Sequence, residues 1–122
     1  MKRVTIMKKP WVFLRKILAG HKKIEPKWHQ AKYAPWDGLK AGDIIYFKDI
    51  GSPVTIKTEV EKVIQYSDLS PRKVQEILAQ YGQSNGLGID DVPKYFKTVK
   101  RKKCCVLFFL KNAQKIESFE IE

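Results

Sequence analysis

Lys22, Glu25 and Lys27 are the side chains in this sequence whose types and spacing could do chemistry. A carboxylate set among ammonium groups forms an ion pair. A lysine whose pKa is lowered by its neighbours Lys23 and Lys27 gains a lone pair near neutral pH and could act as a base or nucleophile. The plain alternative is a surface ion pair worth little to stability. The surrounding stretch, residues 20–36, also holds Lys32, Trp28 and Trp36, with Lys40 and Tyr46 close behind. Flat aromatic faces beside positive charge suit the base and phosphate of a nucleotide.

Other chemistries find little material. There is no paired Ser/His/Asp set, HExxH, P-loop or CxxC. His21 and His29 lie in the same stretch without a third ligand, so no metal and no cofactor is expected, and each histidine reads first as a loop residue. Cys104 and Cys105 are adjacent and point to opposite sides of a strand, which forbids a structural disulfide between them. They read as small packing residues, and a reducing cytoplasm is the expected compartment. The longest apolar run, residues 104–110, is too short to span a bilayer, and residues 1–19 are charged throughout, so neither membrane association nor a signal peptide is expected.

The net charge of +11 is concentrated in two places. Residues 1–40 hold eleven Lys/Arg against two Asp/Glu, and residues 94–103 hold six against none, including Lys100, Arg101, Lys102 and Lys103. These blocks must meet in space to form one polyanion-binding face.

The elements that must position these residues follow from periodicity. Residues 3–7 read as an edge or closing strand. A helix is expected from Pro10, with Trp11, Leu14, Ile17 and Leu18 on its apolar stripe and Gly20 as its stop. Ile24, Pro26 and Trp28 alternate with Glu25 and Lys27 in a strand that Pro26 restricts to an edge or bulge. Residues 30–38 form a loop. Residues 44–48 and 54–65 form a hairpin, with Ile56, Thr58, Val60, Lys62 and Ile64 on one side. Ser70 caps, and Pro71 begins, a helix bearing Val74, Ile77, Leu78 and Tyr81. Residues 83–88 read as a flexible loop, residues 90–96 as a turn or two of helix with Val92 and Phe96 inward. A buried strand over residues 103–110, a turn at Asn112-Ala113 and a last strand over residues 115–121 complete the chain. Length and pattern imply one α+β domain over residues 1–122.

The ordered series Gly20, Lys22, Glu25, Lys27, Trp28, Pro35, Trp36, Gly42 and Asp43 resembles the signature of the ASCH domain. The likeness continues through residues 51–63 and 108–122. It implies a small PUA-like β-barrel of about five or six strands with two or three flanking helices. Two departures stand out: Lys27 replaces the usual arginine, whose bidentate fork a lysine lacks, and Pro26 precedes it. Some ASCH-like proteins are amidohydrolases acting on acetylated cytidine, with a threonine two or three residues beyond the motif lysine. This chain has Ile24 and Glu25 there.

Two function classes remain. In the first, the chain binds RNA or a nucleotide: Lys22, Glu25, Lys27, Trp28, Trp36, Lys100, Arg101, Lys102 and Lys103 form a basic, aromatic-lined cleft. In the second, Lys22 and Glu25 serve a small hydrolase, amidohydrolase or ribonuclease-like, acting on a modified nucleoside or RNA. Binding is preferred because it needs only contact. An acidic protein is a third class of partner, and oligomeric state is not legible.

Overall fold

A computed structural model describes residues 2–7, 13–33, 36–88 and 90–119. The elements run β1 (Lys2–Met7), α1 (Phe13–Leu18), β2 (Ile24–His29), β3 (Ile44–Asp49), β4 (Val54–Tyr66), α2 (Pro71–Tyr81), α3 (Asp91–Val99) and β5 (Cys104–Phe119). The strands form one mixed sheet in the order β1-β3-β4-β5-β2. This is the expected α+β architecture, with five strands and three helices. The sheet is open: among the described residues β1 and β2 are its two edges, and no ladder joins them.

The spine of the sheet is the pair of long strands β4 and β5. Three register shifts interrupt their antiparallel ladder, and each bulge bends and twists the pair. One of them corrects the sequence reading. The turn expected at Asn112-Ala113 is instead a bulge inside a single 16-residue strand. Gln114 to Lys111 on β5 spans the same stretch as Lys57 to Glu59 on β4. Asn112 takes the extra residue at φ 53, and its amide donates to Glu59 at 3.0 Å. Asparagine tolerates that left-handed backbone, so the turn signal was real but was absorbed by a continuous ladder. A second shift, between Val60 and Lys62, breaks the alternation expected of β4. Ile56, Thr58 and Val60 are buried, but Lys62 beyond the bulge is exposed.

Register fixes which side chains face inward, because directly paired residues share a face. Arg3 pairs with Ile45 and Thr5 with Phe47. Ile45 pairs with Thr58, and Val60 pairs with Leu110. Phe108, Val106 and Cys104 follow Leu110 on that face, and they pair with Glu25, Lys27 and His29. The inner face is therefore apolar in the middle and polar at both edges.

The opposite face of β5 is covered too. Ile77, Leu78 and Tyr81 of α2 lie against Ile24, Pro26, Trp28 and Leu107. Burial on both faces explains the uninterrupted apolar run at the start of β5 and the burial of Cys104 and Cys105. Helix α2 starts as read, with Ser70 Oγ accepting from the Lys73 amide at 3.2 Å. Helix α3 is longer than expected; Val99 is buried, with Val92 and Phe96 packed at its margin. In α1 the buried residues are Phe13 and Ile17, whereas Leu18, expected on the stripe, is 44% exposed. Pro10, Trp11 and Pro35 lie outside the described residues, as does the end of the last expected strand, residues 120–121.

Candidate functional site

In the turn after α1, Gly20 at φ +79 sends the chain back so that the amides of His21 and Lys22 both donate to Lys16 O. This reversal drives Lys22 into the protein, where it is 1% exposed. Its ammonium donates to Ile24 O at 2.7 Å, to Asn85 O at 3.1 Å and to Asn85 Oδ1, and lies 3.3 Å from Glu25 Oε1. The Phe13 ring covers it, with its centroid 4.4 Å away. Burial lowers the Lys22 pKa, Glu25 opposes that shift, and Lys27 and Lys16 add to it.

Two sequence expectations are corrected here. The Lys22–Glu25 pair is an interior one, because Glu25 is only 4% exposed. The basic neighbours that depress Lys22 are Lys27 and Lys16 rather than Lys23, and they rank behind desolvation.

Glu25 also reaches Lys27, with 3.6 Å between Oε2 and Nζ. The three motif side chains thus meet around one carboxylate. Lys27 keeps 21% of its side chain exposed, whereas that of Lys22 has none. Every Lys22 proton has an oxygen partner, so Lys22 acts as an internal strut, and Lys27, on the inner face of β2, is the more open of the two ammonium groups.

The segment over residues 83–88, read as a flexible loop, completes this arrangement. Asn85 is 3% exposed and bridges to Lys22, while Ser84 O accepts from the amides of Lys23 and Ile24. Gly86 has φ +84, and a Cβ there would sit 3.1 Å from Lys22 Cβ. Only glycine allows that approach without strain. Sequence reading missed Asn85, and also Tyr95 of α3. The Tyr95 hydroxyl accepts from Trp28 Nε1 at 3.0 Å and engages Asn85. Burial, reinforced by Glu25, pushes the Tyr95 phenol above its ordinary range. The Asn-Gly signal at Asn85-Gly86 was visible, but its partner lay 63 residues away.

Trp28 is half-buried against α2, and Trp36 also packs at the margin of the core, with Lys32 Nζ 5.2 Å from its ring centroid. At the end of β2, His29 O accepts from the Lys103 amide at 3.1 Å, which ties the second basic run to the first. Lys100 and Lys102 are half-buried, Arg101 and Lys103 exposed. The His29 pKa is lowered by burial, then by the charges of Lys102, Arg3 and Lys27. The two basic blocks therefore converge on His29. Its Nε2, together with Arg3 Nε and Thr5 Oγ1, is buried and meets no partner among the described residues. No group of metal-ligating side chains occurs among them.

No protein-family model and no curated protein matches the chain. Solved structures do. A crystal structure of ASCH from Zymomonas mobilis superposes with a TM-score of 0.65 at 18% identity, covering 97% of this chain and 72% of that one. The ASCH domain from Lactobacillus crispatus superposes at 0.56 with 14% identity, covering 90% and 78%. The N-terminal domain of Staphylothermus marinus McrB superposes at 0.55 with 15% identity, covering 96% and 75%. At these identities the likeness is one of fold. The series from Gly20 to Asp43 runs from the turn after α1, through β2, to the start of β3. Together these observations give the chain the α+β fold of the ASCH domain structures.

Proposed function

We propose that this chain binds nucleic acid or a nucleotide, with RNA as the preferred class, along the basic edge formed by β2 and residues 100–103. One observation carries the reading. The Lys103 amide donates to His29 O at 3.1 Å, so the basic run over residues 100–103 lies against the end of β2, where Lys102, Arg3 and Lys27 add to the effect of burial on His29. Separate solvated charge runs would have no reason to converge. In this reading Lys27, Lys100, Arg101, Lys102 and Lys103 attract phosphates, and the open parts of Trp28 and Trp36 meet bases. Lys22 and Glu25 hold Lys27 and the loop over residues 83–88 in place. The fold likeness to ASCH structures agrees with this reading. The enclosure of Lys22 weighs against the hydrolase alternative, since a substrate carbonyl has no path to its nitrogen.

The test is a titration of short single-stranded RNA at several salt concentrations. Binding should weaken linearly in log–log form, and replacing Lys100, Arg101 and Lys102 with glutamine should flatten the slope by up to about 0.7 per lost phosphate contact. Trp28→Phe should leave the slope unchanged. Affinity for an acidic peptide that exceeds affinity for RNA would instead make the basic edge a protein-docking face.

A further inference from the structure

The face of the sheet that carries α2 is only partly covered. Ile77, Leu78 and Tyr81 lie over β2 and the neighbouring part of β5, where the Tyr81 ring also meets that of Phe109 at 5.7 Å. The rest of the same face belongs to β1, β3 and the adjoining parts of β4 and β5, and register sets out its side chains in rows. Lys2, Ile44, Glu59 and Lys111 form one row, Val4, Tyr46, Lys57 and Gln114 the next, and Ile6 with Lys48 a third. Phe119 joins the second row through its ring, which meets that of Tyr46 edge to face at 5.5 Å. This part of the face stays open to solvent. Ile6 is 60% exposed and Phe119 42%, and Val4, Ile44 and Tyr46 are only half-buried. An exposed apolar cluster rimmed by charge marks an interaction surface.

Charge selects the occupant. The rows hold four lysines, Lys2, Lys48, Lys57 and Lys111, against the single carboxylate of Glu59, which Lys111 at 3.9 Å and the Asn112 amide at 3.0 Å already engage. A second copy of the chain laid on this face would set lysines against lysines. A nucleic acid would satisfy the lysines, but its bases need flat rings, and the face offers two rings set against each other and three β-branched aliphatic side chains. We propose that the open part of this face docks an acidic amphipathic helix of a partner protein. Its apolar stripe rests on Val4, Ile6, Ile44, Tyr46 and Phe119, and its carboxylates reach Lys2, Lys48 and Lys57. The docked helix extends the layer that α2 begins. Two or three turns suffice, since alternate residues from Lys2 to Ile6 span about 13 Å along the strand and the four strands about 14 Å across. A contact of that size lies at the low end of specific interfaces, so the association is weak and reversible. None of these residues belongs to the basic edge proposed for nucleic acid, and the inference stands apart from that reading.

The probe is a synthetic peptide of about four helical turns, with leucines at i, i+3, i+4 and i+7 on one side and glutamates elsewhere, compared by NMR titration with a scramble of the same composition. On the whole chain the amphipathic peptide should bind at least about tenfold tighter than the scramble and shift the signals of β1 and β3. Ile6→Ser should weaken it about tenfold. Lys48→Gln should weaken it about fivefold at low salt and less at high salt. Ile6 is exposed, so Ile6→Ser should leave the urea midpoint and RNA affinity unchanged, which separates docking from folding and from the nucleic-acid edge. Equal binding of the scramble would reduce the effect to plain charge attraction and overturn the proposal. So would binding that Ile6→Ser leaves untouched, or no binding of either peptide. Loss of RNA affinity in Ile6→Ser would give the face to RNA instead, and dimers in sedimentation that Ile6→Ser abolishes would give it to a second copy; each would also overturn the proposal.

Discussion

Replacing Glu25 with leucine tests whether the interior ion pair organises the site. The substitution removes the carboxylate that lies 3.3 Å from Lys22 Nζ and leaves that nitrogen with Ile24 O, Asn85 O and Asn85 Oδ1. Breaking a buried pair in this way costs about 3–5 kcal/mol. Burial already lowers the Lys22 pKa, so the lysine can shed its proton, and we expect a loss near the lower figure, about 3 kcal/mol. A domain of 122 residues has roughly 6–18 kcal/mol in total, and such a loss lowers the melting temperature by on the order of 10 °C. Urea unfolding followed by the fluorescence of the three tryptophans reads it as a shifted midpoint at constant slope. The double variant Lys22→Met/Glu25→Leu removes the stranded charge and should regain at least about 1 kcal/mol over Glu25→Leu alone. A single-variant loss below about 1 kcal/mol, or simple additivity in the double variant, would refute an interior pair.

Three further outcomes are expected. Burial raises the Tyr66 phenol to about 12 and pushes Tyr95 up as well. Absorbance titration should therefore show two tyrosines silent near pH 10. Because the folded state holds those protons longer, this contribution to stability is complete below pH 10 and disappears as pH climbs through about 12. Gly86→Ala places a Cβ at φ +84 against Lys22 and should cost about 1–2 kcal/mol or more, read from the urea midpoint. His29 should titrate by NMR below the ordinary histidine value, since burial and three cations disfavour its charged form.

Local signals carried much of the fold. Ser70-Pro71 fixed the start of α2, and Pro26 correctly confined β2 to an edge. The spacing of Lys22, Glu25 and Lys27 pointed to three groups that do meet. Whether the pair lay inside or outside was not legible, because it depends on Asn85 and Phe13, which reach Lys22 only through tertiary packing. The turn at Asn112 was misjudged for a related reason. A left-handed asparagine ends a strand or bulges it according to whether a partner strand continues alongside, and β4 does. The convergence on His29 needed the sheet order, which no periodicity encodes.

The polar edges of the inner face have a second effect, on how the molecule behaves in a crowd of its own copies. An open sheet ends in two strands whose free backbone groups invite pairing with another chain, and Ile6 on β1 is already 60% exposed. Inward charges at Arg3 and Lys27, and a proline that lacks an amide proton at Pro26, are the devices by which natural sheets discourage such pairing. The side chains suited to an anion are thus also guards against fibrillar self-association. Mutational drift that relaxed one would erode the other, so solubility alone can keep Arg3 and Lys27 in place after a ligand has been lost.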